Sequence, residues 1–81
     1  MSAVIYTTRF CPFCVRAKQL LDGKKISYKE LAVDNDPSLK QEMMAKSGRH
    51  TVPQIWINDK HIGGCDELYV LQRSGQLDAL L

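Results

Sequence analysis

Ala3-Val4-Ile5-Tyr6-Thr7 is so rich in β-branched and aromatic side chains that it reads as a strand lying inside a sheet. After three intervening residues comes Cys11-Pro12-Phe13-Cys14. A Pro at position 12 suits the first turn of a helix, where its missing N–H would have no partner anyway. Cys14, Ala17, Leu20 and Leu21 then recur at helical spacing, Arg16, Lys18, Gln19 and Asp22 take the other face, and Gly23 supplies a stop. This pattern predicts a helix from Pro12 to Asp22 with two thiols in its first turn. A buried strand feeding such a helix demands a covered sheet and sets the thiols at the helix's amino end.

The rest of the chain extends that unit. Ile26-Ser27-Tyr28 begins a second strand whose alternation changes phase before Leu31-Ala32-Val33. Strand, helix and strand in succession imply a right-handed crossover and parallel pairing. Asp34-Asn35-Asp36-Pro37 offers a cap and then a Pro, opening a helix whose apolar stripe is Leu39, Met43 and Met44 and which ends at Ser47-Gly48. Beyond Pro53 the pattern changes. Gln54-Ile55-Trp56-Ile57, a turn at Asn58-Asp59 and Lys60-His61-Ile62, closed by Gly63-Gly64, read as a hairpin. Cys65 to Ser74 reads as a helix with Leu68 and Leu71 inward, closed by Gly75, and Leu77, Leu80 and Leu81 form an apolar tail. The order βαβ, α, ββα predicts an α/β fold with a central four-stranded mixed sheet flanked by helices. Residues 1–81 are expected to form a single domain, because two cores would each fall below the size that folds unaided, and little room is left for a deep ligand cavity.

Eleven Lys and Arg against nine Asp and Glu give a formal charge of +2, spread along the chain, which argues against a nucleic-acid footprint. No apolar run approaches the length that spans a bilayer, so no membrane partner is expected, and the amino-terminal residues do not read as a secretory signal. The expected compartment is the cytoplasm. Three cysteines exclude a complete intramolecular disulfide framework, and in a reducing compartment two close cysteines suggest redox chemistry or metal binding. A structural zinc site needs four ligands, and the remaining candidates, Cys65, His50 and His61, lack a paired spacing, so no metal is expected. Two inert core cysteines would leave Pro12 and the preceding strand unexplained. Unpaired N–H groups and the helix dipole favour a thiolate at the cap position, which makes Cys11, flanked by Arg9, the attacking sulfur. Cys14, one turn in on the buried face, is placed to resolve a mixed disulfide formed at Cys11. Strand, Cys-x-x-Cys and helix together signal a thioredoxin-like redox domain.

Cys11-Pro12-Phe13-Cys14, Thr51-Val52-Pro53 and Gly63-Gly64-Cys65-Asp66 stand in the order and rough spacing of the glutaredoxins, and from end to end the chain resembles a small bacterial-type dithiol glutaredoxin. The resemblance implies a thioredoxin fold, a cis bond before Pro53, and glutathione as co-substrate with no tightly bound cofactor. It also implies a monomer acting on disulfide-containing or glutathionylated proteins, with ribonucleotide reductase a candidate. Pro53 cannot donate to a ladder, so Val52, beside Thr51, keeps its N–H and C=O free for an extended peptide. The cysteinyl backbone of glutathione would lie there, with its sulfur at Cys11. Its γ-glutamyl carboxylate would bind the helix start at Gly64, Cys65 and Asp66, with the Asp66 carboxylate facing the α-amino group. The plainer reading of Asp66 is a helix cap. The glycyl carboxylate needs a cation, yet Thr8 stands where many glutaredoxins carry Lys. Arg9 substitutes if the chain turns after Thr8, and Lys40 is the other candidate. Phe13 keeps the ring face of the commoner Tyr. Cys65 is either a small residue at a helix start or a third reactive thiol, and His50 reads as a solvated loop residue. Two other readings remain. One is an electron donor reduced by a flavoprotein, against which the helix start at Gly63-Gly64-Cys65-Asp66 argues. The other is a non-enzymatic iron–sulfur carrier built from two subunits and two glutathiones, disfavoured by the stiffness of Pro12.

Overall fold

In the computed structural model, which describes residues 3–80, strand β1 (Ala3–Thr7) pairs on both sides: in parallel with β2 (Tyr28–Ala32) and antiparallel with β3 (Gln54–Ile57). The hairpin partner β4 (Lys60–Gly63) completes a mixed sheet of order β2-β1-β3-β4, with an irregularity in β3 between Ile55 and Trp56. The two interior strands account for the two most apolar runs in the chain, since both their edges are paired and all their residues but Val4 and Trp56 are buried. Helices α1 (Pro12–Gly23), α2 (Pro37–Ser47), α3 (Cys65–Ser74) and α4 (Gln76–Leu80) cover the sheet.

Strand alternation divides the core in two. Ala3 and Ile5 of β1, with Ile55 and Ile57 of β3, face Ala17 and Leu21 of α1, Leu68 of α3 and Leu77 of α4. On the opposite side Tyr6, Val33 and Met43 of α2 form a smaller cluster with Val4 and Trp56, the Tyr6 and Trp56 rings meeting edge-on at 5.3 Å. Ile5, Leu21, Ile55, Leu68 and Leu77 are fully enclosed, each contributing about 1.5–3 kcal/mol of burial. α1 and α3 are joined by the Tyr69 hydroxyl, which donates to the Arg16 carbonyl at 3.2 Å, and by the Arg16 guanidinium over the Tyr69 ring.

Four expectations need correction. Gly23 is the last residue of α1 but does not supply its stop, which falls two residues on. Lys25 takes the left-handed conformation (φ 58°), its N–H bonds to the Asp22 carbonyl, and the Ile26 N–H bonds to Leu21 at 2.9 Å. Leu21 and Ile26 share one core cluster, which completes a Schellman ending. Ile26 therefore belongs to the helix end, and β2 begins only at Tyr28. The apolar tail is partly helical, with Leu77 of α4 plugging the larger core; Leu81 lies outside the described residues. α2 is capped as expected, the Asp36 carboxylate accepting from the Leu39 N–H at 3.1 Å one residue before Pro37, but Met44, expected in its apolar stripe with Leu39 and Met43, is exposed. Among the described residues no helix is long and apolar enough to cross a membrane.

Candidate active site

The carboxyl end of β1 delivers the chain through a turn at Arg9-Phe10 into α1, whose cap residue is Cys11 in extended conformation (φ −124°, ψ 101°). Its sulfur accepts the Cys14 N–H at 3.1 Å, so one of the helix's orphan donors points at the thiol. Cys11 is half-buried, whereas Cys14 is 1% exposed. Burial first, and then its hydrogen bond with Cys11, push the Cys14 thiol up to about 12. All three thiols are free.

The loop before β3 carries the second part. Val52-Pro53 is a cis bond, and the Val52 carbonyl lies 3.9 Å from the Cys11 thiol that donates to it. Gln54 is a buried polar residue whose side chain is used at both ends: Nε2 donates to the Thr51 carbonyl at 3.0 Å, and Oε1 lies 2.9 Å from His61 Nε2. Burial, and then the nearby charge of Arg49, hold the His61 imidazole below its ordinary range. The ring lies tilted against Trp56 with centroids 4.6 Å apart, and because the Gln54 amide oxygen can only accept, His61 Nε2 is the donor between them.

The third part is the start of α3. Its cap is Gly64, and the Glu67 carboxylate reaches back to accept the Gly64 N–H at 2.6 Å. That bond, followed by Arg49 Nη1 at 2.8 Å, holds the Glu67 carboxyl below the usual range. Gly63 sits at φ 117°, and a side chain there would begin 2.5 Å from the Glu67 carboxylate oxygen; one on Gly64 would crowd the Pro53 carbonyl at 3.2 Å. Helix geometry leaves the N–H groups of Cys65 and Asp66 without intrahelical partners, facing a site where an anion is favoured.

Phe13, Thr51, Val52, Pro53, Gly64, Cys65 and Asp66, read from sequence as one set, line a single groove of about 210 Å³ beside Cys11. Arg49, Gln54 and Glu67 line it as well. Arg9 and Lys40 do not. The chain does turn after Thr8, but the Arg9 N–H donates to Asp34 Oδ2 at 3.1 Å and its Nε lies 3.6 Å from the same oxygen, which directs the guanidinium into a separate hollow. Lys40 is exposed in the first turn of α2. The cation of the groove is Arg49, which no local motif marks. Asp66 is not the cap of α3, because Gly64 and Glu67 fill that role. Cys65 is buried and its thiol pushed up, mainly by burial, which favours the small-residue reading over a third reactive thiol. His50 is exposed, as expected. A larger, more apolar hollow of about 520 Å³ between β4, α3 and α4 contains none of the thiols, so size alone does not locate the chemistry.

Comparison with known proteins agrees with this geometry. The glutaredoxin family model matches residues 3–62. The chain is 56% identical over 78 residues to a glutaredoxin of Pseudomonas aeruginosa, covering 96% of this chain and 93% of that one. It is 53% identical over 77 residues to glutaredoxin 3 of Escherichia coli, covering 95% and 93%. Among solved structures, the glutaredoxin of Brucella melitensis superimposes with a TM-score of 0.88 at 47% identity, covering 100% of this chain and 88% of that one. A buckwheat glutaredoxin–glutathione complex gives 0.89 at 30% identity, covering 98% and 74%.

Proposed function

The chain belongs to the glutaredoxin family and has its thioredoxin-like fold, and from that premise we propose that Cys11 and Cys14 divide the work of a glutathione-dependent thiol–disulfide oxidoreductase. The observation that carries the division is the asymmetry of the two sulfurs. Cys11 accepts a helix-terminal N–H and is half-buried beside the carbonyl of Val52, a residue of the groove, while Cys14 is enclosed and keeps its proton. In the dithiol route the Cys11 thiolate attacks one sulfur of a protein disulfide. A Cys11–protein disulfide forms, and the departing protein sulfur takes up a proton. Cys14 then gives up its proton and attacks Cys11, expelling the second protein thiolate and leaving a Cys11–Cys14 disulfide. One glutathione thiolate opens that bond at Cys11, returning Cys14 to the thiol. A second attacks the bound glutathione sulfur, releasing oxidised glutathione and the Cys11 thiolate. Two electrons pass from two glutathiones to one disulfide. In the monothiol route Cys11 takes the glutathionyl group from a protein adduct and the last step alone restores it.

The groove supports the placing of glutathione. The Val52 backbone offers an extended peptide its ladder partners, the α3 start offers N–H donors to a carboxylate, and Asp66 faces it with the charge that suits an ammonium. Arg49 is the cation we assign to the glycyl carboxylate, in place of Arg9 or Lys40. We further place the protein in the cytoplasm as a monomer, with disulfide-bearing and glutathionylated proteins as its substrates.

Cys11→Ser is expected to abolish both routes, and Cys14→Ser to keep turnover of a glutathionylated substrate while losing reduction of protein disulfides. Turnover retained in the Cys11 variant overturns the assignment. Incubating the reduced protein with oxidised glutathione and mapping the adduct by mass spectrometry gives an independent reading, with Cys11 as the expected site.

A further inference from the structure

Five large apolar side chains stay exposed among the described residues, and three of them, Phe10, Phe13 and Val15, lie within six residues around Cys11. Phe13 has a place in the groove. Phe10 does not line it, and the residue is 91% exposed against 53% for Phe13. A ring left in water forgoes the burial that drives folding, and the backbone holds it there. On one side Arg9 is fastened to Asp34 through both its N–H and its guanidinium; on the other, Cys11 begins α1. The turn between them leaves Phe10 in water at the position immediately before Cys11.

We propose that Phe10 is a docking contact for the protein half of a mixed disulfide, and that it takes a large apolar side chain next to the target cysteine in an extended segment of the substrate protein. The proposal rests on Cys11 being the attacking thiol. A segment joined to Cys11 through a sulfur–sulfur bond is held close to the residues that flank it, and Phe10, next to Cys11 in the chain and in water, is within its reach. Glutathione carries no large side chain and is served by the groove on the Phe13 side. A protein substrate supplies what glutathione lacks, and aromatic side chains bury large areas that weigh heavily in interface energetics, where a few residues carry most of the binding energy. Phe10 thereby favours protein disulfides with apolar neighbours over those with polar ones.

The test uses the Cys14→Ser protein, in which the mixed disulfide cannot be resolved. Its Cys11–glutathione adduct is equilibrated with a capped Leu-Cys-Leu or Ser-Cys-Ser peptide thiol. One sulfur–sulfur bond breaks and one forms, the peptide proton passes to the released glutathione, and nothing is oxidised or reduced overall. Both adducts are quantified by mass spectrometry and normalised to exchange of the same peptides with oxidised glutathione alone. The Leu peptide is expected to be favoured about fivefold, the preference to collapse in Phe10→Ser, and most of it to survive in Phe10→Leu. No preference in the parent, or a preference that survives Phe10→Ser, overturns the proposal. Concentration-dependent self-association abolished by Phe10→Ser, without peptide preference, assigns the ring to a second copy of the chain and overturns it as well. Failure of Cys11 to hold glutathione at all is a separate outcome, visible before any peptide is added, and strikes the cysteine assignment itself.

Discussion

An enclosed thiol loses the hydration that stabilises its thiolate, so Cys14 keeps its proton up to about pH 12, against an ordinary value of 9.0. Above pH 9.0 the unfolded chain releases a proton that the folded chain still holds, so stability falls as pH rises from there toward the folded value. Cys65 and Tyr28, both raised mainly by burial, act in the same direction. Denaturant titrations of the reduced protein should therefore show an alkaline loss of stability that is shallower in Cys14→Ala; an unchanged slope would mean that the buried sulfur ionises normally. Cys11 is itself among the groups that oppose the Cys14 charge, so once Cys11 is tied into a mixed disulfide that opposition is relieved and the second thiol becomes easier to ionise. Both cysteines were legible in the sequence because the helix start that sets their difference is a local pattern. Arg49, Gln54 and Glu67 were not. Each is a single polar residue whose role arises only when the loop before β3 meets α3, and a separate tertiary contact, with Asp34 in the loop after β2, ties Arg9 away from the groove.

Among the elements, α3 depends most on a single backbone position. Gly63 has φ 117°, and any side chain would meet the Glu67 carboxylate that closes the helix start. Gly63→Ala is expected to cost about 1–3 kcal/mol and to raise the KM for glutathione, through strain and the loss of the Gly64 cap bond. Urea unfolding and steady-state kinetics check the two halves, and a variant equal to the parent in both would show that the turn tolerates a side chain. The interior strands and both Pro-opened helices could be read directly, since their patterns are dictated by burial and capping within one segment. β2 could not. It is an edge strand with Lys29 and Glu30 at its centre, and it is fixed by partners distant in sequence: Glu30 accepts from the buried Thr7 hydroxyl at 2.7 Å and pairs with Lys18 of α1 at 3.0 Å. Its apparent start at Ile26 was the hydrophobic half of a helix ending.

For the molecule as a whole, the larger core is closed by Leu77, the only fully enclosed side chain contributed by α4 among the described residues. Leu77→Ala should cost about 2–5 kcal/mol and lower the melting temperature of a domain this size by about 10 °C or more. Scanning calorimetry checks it, and a shift of a degree or two would show that α4 merely rests on the surface. The same assembly brings residues 11–14, 49–54 and 63–67 to one corner of the sheet, although they are scattered over most of the chain. A peptide carrying Cys11 and Cys14 alone has two ordinary thiols, with neither the enclosure that quiets Cys14 nor the groove that selects a partner. Selectivity is thus lent by the fold and withdrawn with it. A chain that opens at any of these seams frees Cys14 to ionise in the ordinary thiol range and loses its groove, so what fails first is discrimination between partners rather than thiol chemistry itself.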